Sequence, residues 1–163
     1  MAEYNRTAAV AYALFWAFSR NPVYYDFSDI GGDCTNFVSQ SLYAGSGVMN
    51  FTPTFGWYFI SPEDRSPSWT GVQFLYDFLV SNTGPGPYGE ERPLEDARPG
   101  DVIQINYGGD EFTHTVIVTG IRPRYSGDRR ILISAHSYDA RNRPLSTYEY
   151  KEVRLIHILG VNE

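Results

Sequence analysis

Gly31-Gly32-Asp33-Cys34-Thr35-Asn36-Phe37-Val38-Ser39-Gln40-Ser41-Leu42-Tyr43 holds the one cysteine of the chain. Two glycines ahead of it free the backbone for a sharp turn. Beyond it Phe37, Val38, Ser41, Leu42 and Ala44 or Gly45 recur at helical spacing, and Gly45 is a natural stop. The pattern predicts a helix whose first turn carries Cys34. Unpaired amides and the helix dipole favour a thiolate there, and the thiolate is the form of cysteine that attacks carbonyls. A free cysteine is also commonly a small buried apolar residue. This stretch alone leaves the two readings level.

On the N-terminal side, residues 3–19 read as a helix with Ala8, Ala9, Tyr12, Phe15, Trp16 and Ser19 on one face. Arg20-Asn21-Pro22 ends it, because the residue before a proline avoids the helical region. Tyr24, Tyr25, Asp26 and Phe27 approach the Gly31-Gly32 turn without a regular period. On the C-terminal side, residues 46–69 carry Phe51, Phe55, Trp57, Tyr58, Phe59 and Trp69 between prolines, which predicts a long aromatic loop. Most of its rings are expected to cover the helix below, with one or two reaching a cleft. Thr70-Gly71-Val72-Gln73 reads as a capping box opening a helix to Val80, with Phe74, Leu75, Phe78 and Leu79 as its buried stripe. Residues 82–89 are an exposed loop by composition.

Sheet follows. Strands are expected over 101–106, 112–121, 130–136 and 152–159, and short turns between them predict antiparallel pairing. Helices first and strands afterwards make the fold class α+β. No internal repeat or low-complexity tract divides the sequence, so residues 1–163 read as a single domain.

Composition narrows the function. A net charge of -6 offers no basic field for phosphates, so a nucleic-acid partner is not expected. One cysteine excludes an intramolecular disulfide and any multi-cysteine metal site. No apolar run is long enough to insert in a membrane. Met1-Ala2-Glu3-Tyr4 lacks a basic region followed by an apolar core, so it does not read as a signal peptide. Localisation is not legible.

A cysteine nucleophile needs a base within reach, and the base needs a group to hold its ring. His114 opens an apolar strand, with Val116 and Val118 on its face. His136 closes the next one. A hairpin between those strands brings a start beside an end, so His114 and His136 are expected to be neighbours, base and orienter. Asp139 and Asn142 follow His136 closely and are rival third members. His157, between Leu155 and Leu159, reads as structural.

Several motifs carry a resemblance: Tyr4-Asn5-Arg6 with Ala8, Val10 and Tyr12, then Asn21-Pro22, Asp26-Phe27 and Gly32-Asp33-Cys34-Thr35-Asn36-Phe37-Val38-Ser39-Gln40. Arg98-Pro99-Gly100-Asp101, His114-Thr115, Ala135-His136-Ser137 and Pro144-Leu145 follow in order. The chain resembles the putative amidase domain family, a branch of the papain-like group that includes NlpC/P60 and CHAP domains. The resemblance implies a cysteine at a helix N-terminus packed on an antiparallel sheet. It implies a cysteine amidase or peptidase that needs no cofactor or metal and uses Cys34, His114 and His136, with Asp139 and Asn142 open for the third role. A tyrosine upstream of the cysteine would face the oxyanion, here Tyr24 or Tyr25, and Asp33 joins them as a candidate. A peptide or amide substrate follows, in the bacterial cell wall by analogy (peptidoglycan), with a secreted or envelope location.

Two other readings use the same residues. One is a binding module with an idle site, which an unreactive Cys34 would reveal. The other is a zinc site built from Cys34, His114 and His136, which the single cysteine disfavours.

Overall fold

The computed structural model describes residues 2–163. Met1, where both the single-domain reading and the reading of the N-terminus begin, lies outside the described residues. Helix α1 (Arg6–Trp16) starts where the Asn5 side chain accepts from the Ala8 N–H at 2.9 Å, a side-chain N-cap. Helix α2 (Cys34–Ser46) ends at Gly47, whose φ of +68° only glycine adopts without strain. After it come β1 (Phe59–Ser61), β2 (Asp64–Arg65), α3 (Pro67–Thr70), α4 (Val72–Ser81) and β3 (Gly86–Arg92). The rest is β4 (Val102–Asn106), β5 (His114–Ile121), β6 (Ile131–Ala135), β7 (Ala140–Pro144) and β8 (Glu152–Asn162).

β3 to β8 form one six-stranded sheet in the order β3-β8-β4-β5-β6-β7, with every neighbouring pair antiparallel. The α+β class expected from the sequence is the one observed. The sheet is covered on both faces. One core joins Ala9 and Ala13 of α1 and Phe37, Val38 and Leu42 of α2 to Val102, Ile117 and Ile156 of the sheet. The other joins Ile103, Ile105, Val116, Val118, Ile133 and Leu155 to Leu145. Each of the Val, Leu, Ile and Phe side chains among them, fully buried, contributes roughly 1.5–3 kcal/mol.

Helix α2 is the central element, and it is buried on nearly all sides, polar residues included. Its hydroxyls and amides can be inside because the aromatic segment supplies their partners. Trp57 Nε1–H donates to Ser39 Oγ at 3.1 Å, and Trp69 Nε1–H donates to Asn36 Oδ1 at 3.0 Å. Buried polar groups without such partners would cost about 1–3 kcal/mol each. Trp57, Phe59 and Trp69 are therefore core.

Four details differ from the sequence expectations. Gly45 does not stop α2. It lies where α1 crosses, and a Cβ there would come within 2.6 Å of the Tyr4 ring and 2.8 Å of the Asn5 carbonyl. The capping box at Thr70 does not form: Gly71 caps α4, while the Thr70 hydroxyl accepts from Arg65 Nε. Phe15 and Phe74 are exposed at 73% and 58%, because the core side of each helix is narrower than its apolar stripe. Four strands lie outside the expected ones, and β1 and β2, with α3, interrupt the segment expected to be an aromatic loop. β3 lies partly in the stretch read as a loop, and β7 (Ala-Arg-Asn-Arg-Pro) shows no alternation because both are edge strands.

Candidate active site

Gly31 and Gly32 turn the chain into α2 with φ of +80° and +98°, as the Gly-Gly pair predicts. Cys34 is the first residue of α2 and is partly exposed. The first-turn amides of a helix have no intrahelical partner, so they present donors and the positive dipole end at the sulfur. Thr35, behind Cys34, exchanges a hydrogen bond with Thr115 of β5 at 2.8 Å, which ties the start of α2 to the strand that His114 opens.

Cys34 and His114 line one cavity of about 310 Å³, together with Gly31, Gly32, Asp33, Tyr107, Thr113, Ser137, Tyr138 and Tyr148. The His114 ring lies between those of Tyr107 and Tyr148, with centroids 6.3 and 6.2 Å away. Burial, reinforced by the charge of Arg143, pushes His114 down to about 4. At neutral pH its imidazole is therefore unprotonated and free to accept a proton. Burial also pushes Tyr107 and Tyr148 up, which keeps both as neutral phenols. No hydrogen bond reaches either ring nitrogen of His114 among the described residues.

His136 is elsewhere. It is buried, with Nδ1 2.7 Å from Asp33 Oδ2, Nε2 2.8 Å from the Trp16 carbonyl oxygen, and its ring stacked on Phe37 at 4.0 Å. The expected contact between His114 and His136 is absent, and their neighbours explain why. His136 lies in the turn 136–139 that follows β6 and stacks on Phe37 of the helix-side core. His114 packs against Tyr148, which belongs with the core on the other face of the sheet.

The rival third members are also engaged elsewhere. Asp139 receives two hydrogen bonds from Arg20, both at 2.9 Å, and Asn142 Oδ1 accepts from the Thr119 hydroxyl at 2.8 Å. Of the oxyanion candidates, Tyr24 and Tyr25 do not line the cavity, and Asp33 lines it without offering its carboxylate. Tyr24 packs against Phe59 and Trp69, and Tyr25 edges onto Phe27. The Asp33 carboxylate turns inward, accepting from the Phe27 N–H and Asn36 Nδ2 at 2.8 Å each while it holds His136. An oxyanion would be repelled by it. The tyrosines that do wall the cavity, Tyr107, Tyr138 and Tyr148, come from three separate turns, and only the first had a local signal, its place beside a Gly-Gly turn.

The zinc reading fails on geometry, since His136 lies on the face opposite His114. Among the described residues no three His, Cys, Asp or Glu side chains converge as a metal site, and no helix is long and apolar enough to cross a membrane. His157 is structural: its Nδ1 lies 2.8 Å from Asp101 Oδ2, in a buried cluster where Asp101 also accepts from Arg6, the Arg98 N–H and the Ile158 N–H. That cluster accounts for the Pro-Gly-Asp motif and for Arg6, whose conjunction fastens the start of α1 to β4 and β8.

Fold and site together define an α+β protein in which a helix-opening cysteine and a strand-opening histidine face one cavity. The chain matches the putative amidase domain family over residues 3–159 and belongs to it. It is 37% identical over 145 residues to the uncharacterized protein YhbB of Bacillus subtilis (strain 168), a match covering 86% of this chain and 44% of that protein. The chain thus spans less than half the length of that relative. No solved structure matches it.

Proposed function

We propose that the chain is a cysteine-dependent amidase or peptidase on a papain-like scaffold. The observation that carries this reading is the placement of Cys34 and His114 on the walls of one cavity, in a chain of the amidase family. Neutral His114 takes the thiol proton as Cys34 attacks an amide carbonyl carbon. The carbonyl electrons move to oxygen, and the backbone N–H of Cys34 at the α2 start stabilises that oxyanion. The carbon–nitrogen bond then breaks, His114 gives its proton to the leaving amine, and a thioester remains. His114 next accepts a proton from water as the oxygen attacks the thioester carbonyl carbon, the carbon–sulfur bond breaks, the Cys34 thiolate takes the proton back from His114, and the carboxylic acid leaves.

The cavity suits a peptide segment: its walls are neutral or aromatic, and its only carboxylate is turned away. A cell-wall peptide is the substrate the family analogy favours, recognised by its amide groups, since the net charge of -6 disfavours anionic polymers. The deciding experiment follows release of free amines from peptidoglycan peptides by the parent and by Cys34→Ala. Turnover by the parent and none by the variant is the expected result. Equal turnover by both would refute the mechanism, and an unreactive Cys34 thiol in the parent would favour the idle binding module.

A further inference from the structure

The geometry points to Ser137 as the residue that positions His114, through a hydrogen bond between the Ser137 hydroxyl and the imidazole. This rests on the reading of His114 as the base. Three observations converge. Ser137 lies in the turn directly after β6, the strand that pairs with β5, which His114 opens. Ser137 lines the same cavity as His114. Its hydroxyl is shut off from solvent and has no hydrogen-bond partner, as is true of only four buried side-chain polar atoms among the described residues. An unpaired buried hydroxyl costs about 1–3 kcal/mol, and the unpaired imidazole on the same cavity is a group that can recover it. In unliganded enzymes catalytic hydrogen bonds are commonly long and tighten when substrate binds.

Ser137 accepts from the ring N–H remote from Cys34. That leaves the other nitrogen as the acceptor for the thiol proton, so one tautomer is selected. The Tyr148 hydroxyl is the other unpaired polar atom on this cavity. Its ring is tilted 47° to the imidazole and lies under the Arg143 guanidinium, which is 3.8 Å from the ring centre, and Tyr148→Phe separates its hydroxyl from that of Ser137.

The test is made on Ser137→Ala, Ser137→Thr and Tyr148→Phe. Two-dimensional ¹⁵N–¹H NMR of the imidazoles reads the His114 tautomer at pH 7 in the resting protein. The second readout is the rate of Cys34 alkylation by iodoacetamide. The parent should show one dominant His114 tautomer, and Ser137→Ala a mixture. Alkylation of Ser137→Ala should fall roughly three- to tenfold, the worth of one neutral hydrogen bond. Ser137→Thr keeps a hydroxyl and should restore both. The melting temperature of Ser137→Ala should not fall, since no existing hydrogen bond is removed. An unchanged tautomer in Ser137→Ala overturns the proposal, as does a mixture that appears in Tyr148→Phe instead. The tautomer readout decides this even if Cys34 proves inert, whereas equal alkylation of the parent and His114→Ala would count against the Cys34–His114 mechanism alone.

Discussion

Asp33 and His136 meet at 2.7 Å across 103 residues of chain, one immediately before the cysteine and the other immediately before Ser137. The pair is buried beneath the cavity, and its backbone neighbours form the walls. Its role is to hold the start of α2 against the end of β6. Trp16 and Arg20 join it there, Nε2 of His136 facing the Trp16 carbonyl while Arg20 bridges to Asp139.

Breaking that pair should cost stability first. His136→Ala leaves the Asp33 carboxylate buried without its partner and opens a void against Phe37. Truncating a buried ring that also hydrogen-bonds a carboxylate costs about 2–5 kcal/mol. Urea unfolding at pH 7 should show a loss of that order. A variant as stable as the parent but inactive would instead make His136 part of the chemistry.

His114 should govern the reactivity of Cys34. The parent's alkylation rate should hold down to about pH 5 and fall toward pH 4, where the imidazole takes a proton. His114→Ala should react about ten- to a hundredfold more slowly at pH 7, within the lower range of base catalysis. Stopped alkylation followed by mass spectrometry measures both.

The same histidine should make the fold acid-sensitive. Its pKa is lowered from 6.5 to about 4 on folding, so the unfolded chain binds the proton more readily. Its contribution to stability is complete above pH 6.5 and is lost as the pH falls to about 4, at up to about 1.4 kcal/mol per pH unit. The difference in unfolding free energy between the parent and His114→Gln should therefore shrink from pH 7 to pH 4. A constant difference would mean that the ring is not desolvated.

Gly45→Ala should be destabilising although alanine favours helix. Its methyl would press on the Tyr4 ring and the Asn5 carbonyl, where α1 crosses α2. Overpacking of this kind costs about 1–3 kcal/mol, and a lowered melting temperature would report it.

Local sequence carried a good part of this molecule. A Gly-Gly turn before a cysteine, then apolar residues at helical spacing, places Cys34 at the start of α2 because both effects act within a few residues. The four strands with apolar alternation were legible for the same reason. Edge strands β3 and β7 were not, since one side of each is unpaired and polar residues suffice there. Nor could the stripes of α1 and α4 reveal that Phe15 and Phe74 would face water, because the width of the buried face depends on what packs against it.

The sequence by itself determined the two ends of the candidate site, a cysteine opening a helix and a histidine opening a strand, along with the α+β order of elements. Only the tertiary structure decided what surrounds His114. The turn after β6 carries His136 under α2 to Asp33 and leaves Ser137 on the cavity wall. Where that turn falls depends on pairing between distant segments, on a bulge between Val118 and Gly120, and on the packing of both cores, and none of these is written in the residues nearby.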